Sequence, residues 1–522
     1  MIEFTVAQIA DIVGGTLADI SPQDAERLHV TGTVEFDSRA VGPGGLFVAL
    51  PGARSDGHDH AASAAAAGAV AVLAARPVGV PAILVEPVGP RARADGGVAG
   101  VLEHDTDGSG AAVLAALAEL AKAVAAELVA SGLTIVGITG SSGKTSTKDL
   151  VAAVLEPLGE VVAPPGSFNN ELGHPWTVLR ATRSTDYLVL EMSARHLGNI
   201  AALAEIAPPA IGVVLNVGTA HLGEFGSREA IARTKAELPQ AVPASGAVIL
   251  NVDDPVVAAM AGQTAARVVR VSRESAADAW ADNVSLDALA RPRFTMHAED
   301  AQAEVHLGMY GDHQVTNALC AGAVALECGA SLEQVAAALA GAGPASRHRM
   351  QVLTRADGVT LIDDTYNANP DSMRAGLQAL AWIAHAPPQG QGAGAGEKRR
   401  SWAVLGEMAE LGADAIAEHD RIGRLAVRLD VSRLVVVGSG RSVSAMHHGA
   451  VLEGGRGSWG SGADRGVVMV PDADAALDLL RAEVQPGDVV LVKASNAAGL
   501  GALADALALD VPGARTGDGP RR

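Results

Sequence analysis

The sequence predicts an α/β protein of three domains built on parallel sheets, and three observations carry that expectation. Continuous apolar runs ending in small or polar residues recur along the chain. They are "LTIVGITG", "DYLVLEMS", "AIGVVLNV" and "AVILNVDD" in the middle, then "SWAVLGEM", "RLVVVGSG" and "DVVLVKAS" near the C-terminus. A strand covered on both faces needs no polar alternation, so these runs read as strands of parallel sheets sandwiched by helices. Helical patterns separate them. Finally, Gly-rich low-complexity stretches at 87–110, 386–400 and 453–466 punctuate the chain. A chain of 522 residues suits three domains. The expected divisions are 1–110, a central P-loop-type domain at 111–344, and a smaller Rossmann-like domain at 345–512. The tail at 513–522 is expected to be disordered.

Taken in order, the N-terminal "MIEFTVAQIADIVGG" has early acidic residues and no basic leader, so it does not read as a signal peptide. The Ala-dominated run 61–75 is too weakly apolar to span a membrane and predicts a buried helix running into a strand. "AAVLAALAELAKAVAAEL" predicts a long helix before the first middle-domain strand. Hydrophobic residues reach 48% but aromatics only 3%, so the cores must be Ala, Val and Leu. The net charge is −20, and no basic run is longer than the cluster from Lys398 to Arg400. That excludes a nucleic-acid binder, and it requires local cations and backbone amides to hold any anionic ligand. Cys320 and Cys328 lie eight apart in an apolar helical pattern and read as small core residues in a reducing compartment. A soluble, cytoplasmic monomer is expected.

The chemistry-bearing motifs sit where strands end, which is where open parallel sheets collect ligands. In "GITGSSGKTSTKD", Gly140, Ser141, Ser142 and Gly143 follow a strand and precede a helix. Their backbone N–H groups and the helix dipole suit a phosphate, with Lys144 as point charge and the Thr145 hydroxyl as a Mg²⁺ ligand. The loop is shorter than the ordinary P-loop, since Ile138 occupies the expected first glycine. Glu191 ends a buried strand, as a metal ligand or a helix-capping acid. Asn216 and His221 follow another strand; His221 is a metal ligand or a structural histidine. Lys235 reads from its surroundings as a solvated surface lysine. Asn169 and Asn170 suit polar ligand groups or an Asx turn. Asn317 is an adenine contact or a helix cap. Arg347 and Arg349 follow the second boundary, where an Arg can reach phosphates across a cleft. Asp363 and Asp364 end a strand ahead of a polar loop from Tyr366 to Pro370.

Together, "GITGSSGKTSTKD", "FNNELG", "EMSARHLGNI", "NVGTAHLGEFGS", "GDHQVTNAL" and "IDDTYNANPDSM", in that order, resemble the Mur ligase family. Residues 35–73 resemble its N-terminal UDP-substrate domain. The resemblance is nearest to members that add D-alanyl-D-alanine to UDP-N-acetylmuramoyl-tripeptide. It covers most of the chain outside the inserts and tail, and it accounts for the compressed loop. It implies that Gly140, Ser141, Ser142, Gly143, Lys144, Thr145 and Ser146 hold ATP. Thr145, Glu191 and His221 would serve Mg²⁺. It implies a carbamylated Lys235, reversing the reading as a solvated lysine. Asn317 would meet adenine, and Arg349 and Asp364 the nucleotide phosphate and ribose. Ser38 and Arg39 would serve the uridine nucleotide, and Asn169 and Asn170 the muramoyl-peptide. Gln314 stands where the family commonly has Asn, and Ala494 and Asn496 where it has Gly and Arg, so no role is carried over to that C-terminal loop.

The implied reaction is ATP-dependent amide formation through an acyl phosphate, in cytoplasmic peptidoglycan precursor synthesis. Such chemistry leans on Lys144, Glu191, His221, Lys235 and backbone amides rather than on a protein nucleophile. The alternative within the family is the ligase that adds the third peptide residue, which Asp371 in "NANPDSM" disfavours. A folylpolyglutamate-type ligase would lack the N-terminal domain. A P-loop ATPase regulator would turn over ATP without small substrates. An inactive scaffold would have no use for Lys144, Glu191 and His221.

Overall fold

The computed structural model describes residues 1–53, 55–89, 102–218, 222–386, 398–455 and 466–509. His221, the tail at 513–522 and most of the two later Gly-rich inserts therefore lie outside the described residues.

Three larger sheets follow one another along the chain. The N-terminal sheet has five strands in the order Thr16–Ala18, Ala82–Leu84, Ala69–Ala74, Gly45–Val48, Val34–Glu35, antiparallel only at its first pair. The Ala-rich run forms the expected helix Ala61–Ala67 and strand Ala69–Ala74. Gly68 turns the chain between them at φ +118°, and a Cβ there would meet the Pro43 backbone at 2.7 Å, so only glycine fits.

The middle sheet has nine strands. Its parallel part runs Val161–Val162, Tyr187–Glu191, Thr134–Thr139, Ile211–Val214, Ala247–Asn251, Arg267–Ser272, Ala279–Leu286. The four apolar runs of the middle domain are thus four adjacent parallel strands. Beyond them the sheet extends by two antiparallel strands, Pro292–Ala298 and Ala301–His306, which the apolar runs did not announce. The alternation of the strand explains why the runs are apolar throughout. Ile135, Leu188 and Leu190 face a core shared with the N-terminal domain. Val136, Ile138 and Val189 face the opposite core, against Leu150, Val154 and Leu319. Each such burial contributes ~1.5–3 kcal/mol relative to exposure.

The long helix, Ser109–Ala130, lies in the first of these cores. Its Leu117, Leu120 and Val124 pack with Val6, Ile9 and Leu46 from the N-terminal side and Ile135 and Leu188 from the middle sheet. An aromatic contact strengthens the junction. Phe36, Phe168 and Trp176 cluster with centroids 4.7 to 6.4 Å apart, and the Trp176 indole donates to the Val34 carbonyl at 2.9 Å.

The C-terminal sheet has six strands in the order Gln351–Thr354, Thr360–Asp364, Val489–Lys493, Ser401–Leu405, Arg433–Val437, Gly466–Val470, parallel except at the first pair. It too is buried on both faces, with Ile362, Leu405 and Leu491 on one side and Leu361, Val404 and Val492 on the other. Among the described residues, no helix is long and apolar enough to cross a membrane. Cys320 and Cys328 are free thiols, the first fully buried and the second half-buried, and burial pushes their pKa values up to about 12 and about 11.

Candidate active site

The carboxyl ends of the middle and C-terminal strands face one large cleft of about 1440 Å³. The loop from Gly140 to Gly143 leads from the strand Thr134–Thr139 into the helix Lys144–Leu155. Gly143, at φ +83°, makes the turn, and a Cβ there would strike the Asn317 side-chain oxygen at 2.7 Å. The helix has no side-chain cap, so its first-turn N–H groups meet no side-chain acceptor and its positive dipole end opens on the cleft.

The loop amides do not all face one point, contrary to the sequence expectation. Ser141 and Ser142 donate to the Asn216 side-chain oxygen, each at 3.0 Å, and Asn216 donates back to the Ser142 carbonyl at 3.2 Å. Asn216 is a loop brace. The N–H groups of Gly143, Lys144, Thr145 and Ser146 are the ones that remain for an anion. The Lys144 ammonium donates to the Gly140 carbonyl at 2.8 Å. Burial lowers its pKa; Glu191 and Glu410 oppose this, while Arg349 adds to it.

Glu191 is 2% exposed. Its carboxylate accepts from the Thr145 hydroxyl at 3.0 Å, the Asn169 amide at 2.6 Å and the Ser167 hydroxyl at 3.4 Å. No lysine or arginine pairs with it among the described residues. A buried carboxylate solvated by hydroxyls and an amide, with hard oxygen donors converging on it, fits a divalent cation such as Mg²⁺. Ser167, in the motif with Asn169 and Asn170, was missed because a lone serine carries no signal. Asn170 accepts from the Gly173 N–H at 2.9 Å, the local Asx arrangement.

Arg349 crosses from the C-terminal domain to this corner. Its guanidinium donates to Ser167 at 3.0 Å and to Thr145 at 3.2 Å, and it stacks on the Tyr366 ring at 4.1 Å. Its Nε is buried without an acceptor. The two residues around it, His348 and Met350, hold left-handed backbone at φ +60° and +48°, a strained arrangement that aims the side chain inward. Arg347 instead pairs with Asp505 at the surface.

The local reading of Lys235 as a solvated lysine, which the family resemblance reversed, does not hold. It is 6% exposed, on the helix Arg228–Ala241, and has no carboxylate partner among the described residues. Burial, then the nearby Lys144 charge, lowers its pKa well below the ordinary lysine value. Ile231, Lys235 and Leu238 follow helical spacing, a signal that places the lysine on the packed face.

Asn317 is the fourth residue of the helix Gln314–Glu327, whose N-cap is His313, so it does not cap that helix. Its amide donates to the buried Gln314 side chain at 2.8 Å. Asp364 lines the cleft but is already ion-paired with the buried Lys493 and accepts from the Met350 N–H at 3.1 Å. Asp363 accepts from Thr365 and contacts the His348 ring at 2.7 Å. Ser38 and Arg39 do not line the cleft. Arg39 is exposed and makes a bidentate contact with Asp37.

Comparison with known proteins identifies the family. Three family models match: "Mur ligase family, catalytic domain" over 31–120, "Mur ligase middle domain" over 138–325, and "Mur ligase, glutamate ligase domain" over 348–496. The chain is 80% identical to the UDP-N-acetylmuramoyl-tripeptide–D-alanyl-D-alanine ligase of Mycobacterium tuberculosis over 98% of each chain. It is 34% identical to the enzyme of that name from Escherichia coli, over 84% of this chain and 86% of the relative. Among solved structures, MurF from Acinetobacter baumannii superposes with a TM-score of 0.77 at 28% identity, covering 97% of this chain and 99% of that one. MurF from Thermotoga maritima in complex with ADP superposes with a TM-score of 0.70 at 26% identity, covering 92% of this chain and 97% of that one. The chain belongs to the Mur ligase family.

Proposed function

We propose that the protein joins the amine of D-alanyl-D-alanine to the terminal carboxylate of UDP-N-acetylmuramoyl-tripeptide, with ATP as the energy source. The observation that carries this reading is the meeting in one cleft of the phosphate loop, the Glu191 oxygen corner and Arg349 from the facing domain. The near-full-length identity to enzymes of that name supports the choice of substrates, and the ADP complex of the Thermotoga maritima relative supports an adenine nucleotide as a ligand. The division into 1–110 for the nucleotide-sugar, 111–344 for ATP and 345–512 for closure follows the three sheets. The protein acts as a monomer in the cytoplasm.

A carboxylate is a poor electrophile, so the reaction begins by activating it. The substrate carboxylate attacks the γ-phosphorus of ATP, the bond to ADP breaks, and an acyl phosphate forms. The amine of the dipeptide then attacks the acyl carbon, and phosphate leaves through a tetrahedral intermediate. Here Lys144 and the N–H groups of the first helical turn hold the transferring phosphoryl group as its charge shifts. Thr145, Glu191 and, outside the described residues, His221 would hold Mg²⁺, which supplies charge neutralisation on the triphosphate. Arg349 brings a second positive charge from the closing domain. Closure excludes water from the acyl phosphate.

Lys235 is assigned a carbamate. Burial and the neighbouring Lys144 charge shift this amine toward the neutral form, the form that adds carbon dioxide, and the resulting anion would balance the Lys144 charge. Asn317 and Asp364 are assigned to the adenosine half of ATP. Ser38 and Arg39 are assigned to the uridine nucleotide. Phosphate release measured with both substrates, and with each omitted in turn, tests the reading. Release that depends on both supports it, and release indifferent to the dipeptide contradicts it.

A further inference from the structure

One buried charge in the phosphate-loop helix has no part in the mechanism above. Lys148 lies one turn beyond Lys144 and is 2% exposed. Its ammonium donates to the Pro164 carbonyl at 2.6 Å and the Gly166 carbonyl at 3.2 Å, and pairs with Asp149 at 2.7 Å. These contacts use all three of its donors, and the Ser346 hydroxyl lies at 3.5 Å. The other Asp149 oxygen accepts from the Ser346 N–H at 3.1 Å.

What these partners lead to gives the contacts their meaning. The 164–166 segment runs directly into Ser167 and Asn169, two of the three donors on Glu191. Ser346 lies in the linker between the helix Leu332–Gly341 and the strand Gln351–Thr354, three residues before Arg349. On the far side of Arg349, the Met350 N–H is fixed to Asp364 at 3.1 Å. Both routes into the Glu191 corner therefore start from one helical turn.

We propose that Lys148, together with Asp149, is a positioning residue for the ligase reaction. It ties the loop carrying Ser167 and Asn169, and the linker carrying Arg349, to the helix that carries Lys144 and Thr145. The parts of the corner contributed by separate segments are thereby held in register with the phosphate loop. Nothing in this role requires Lys148 to touch a substrate. The proposal rests on the ligase reading above.

Lys148→Met retains most of the apolar stem of the side chain and removes its charge and donors. The expected result is a kcat lower by about a hundredfold, the scale of a misplacement of about 1 Å. Binding of UDP-N-acetylmuramoyl-tripeptide should stay unchanged, and amide hydrogen exchange should become faster at 164–170 and 345–350 but not in the strand Thr134–Thr139. A kcat within about threefold of wild type, or exchange that accelerates uniformly, would overturn it. If that variant fails to fold, Asp149→Ala, which releases the Ser346 N–H, is the second probe. It should give faster exchange confined to 345–350 and a smaller loss of kcat; unchanged exchange there would equally overturn the proposal. Wild-type protein that released phosphate without needing the dipeptide would instead sink the ligase reading, so the two failures are separable.

Discussion

Two strand ends in this molecule look alike in sequence and behave oppositely. The strand Tyr187–Glu191 and the strand Thr360–Asp364 each finish a parallel, apolar run in a buried carboxylate at the rim of the same cleft. At the second, Asp364 is closed by the buried Lys493, which also donates to the Asn367 carbonyl at 2.9 Å. At the first, Glu191 is solvated only by neutral donors, while the half-buried Lys144 and the buried Lys235 lie close by without an ion-pair carboxylate among the described residues. Burying unmatched charge is costly, so a fold keeps it where ligands supply the match. The difference separates, within one cleft, a carboxylate left open to a cation from one whose charge the protein already matches.

The largest expected effect comes from breaking the first end. Lys144→Ala should lower phosphate release at least about a hundredfold, the scale of losing one preorganised charge-stabilising donor, and leave UDP-substrate binding largely intact by calorimetry. Turnover near wild type would remove Lys144 from the mechanism. Breaking the second end should register in stability. Asp364→Asn strands the Lys493 charge and should cost ~3–5 kcal/mol, whereas Asp364→Leu combined with Lys493→Met should recover most of that, read from urea unfolding of the C-terminal domain. If the double variant is no more stable than the single one, Asp364 is not a closed structural pair.

A control for the electrostatic argument lies away from both ends. His174 is fully buried, and burial lowers its pKa to about 4, opposed in part by the Leu203 backbone. The unfolded chain, near 6.5, binds the proton that the folded chain refuses. Stability is therefore full above pH 6.5 and declines as the pH falls toward 4, by about 3 kcal/mol from this group. His174→Leu should flatten that part of the stability curve, and an unchanged slope would show that the ring is not held neutral. The smallest effect is expected at Arg39, which is exposed. Arg39→Ala should raise the KM for the nucleotide-sugar severalfold with kcat unchanged, and an unaltered KM would remove Arg39 from the uridine site.

The contrast also shows how far the sequence could be read. The strands of both sheets were legible because each is buried on two faces, which leaves a continuous apolar run such as "LTIVGITG". The phosphate loop was legible because its glycines and Lys144 act locally. Roles set by segments distant in sequence were not. Asn216 claims the Ser141 and Ser142 amides from 74 to 75 residues away, and Lys493 claims Asp364 from 129. Nothing beside those residues announces the pairing. Read from its neighbours alone, Lys235 looked solvated because a second cation beside Lys144 would repel a metal; the family resemblance reversed that reading, and the spacing from Ile231 to Leu238 places it inside.

The central claim is that the compact turn from Gly140 to Thr145 grips the triphosphate beside an electrostatically open Glu191 corner. A crystal structure with a non-hydrolysable ATP analogue and Mg²⁺ tests it most directly. The terminal phosphate should lie against Lys144 and the first-turn amides, with the cation on Thr145 and Glu191. A triphosphate bound elsewhere in the cleft, with that turn still closed on Asn216 alone, would contradict it.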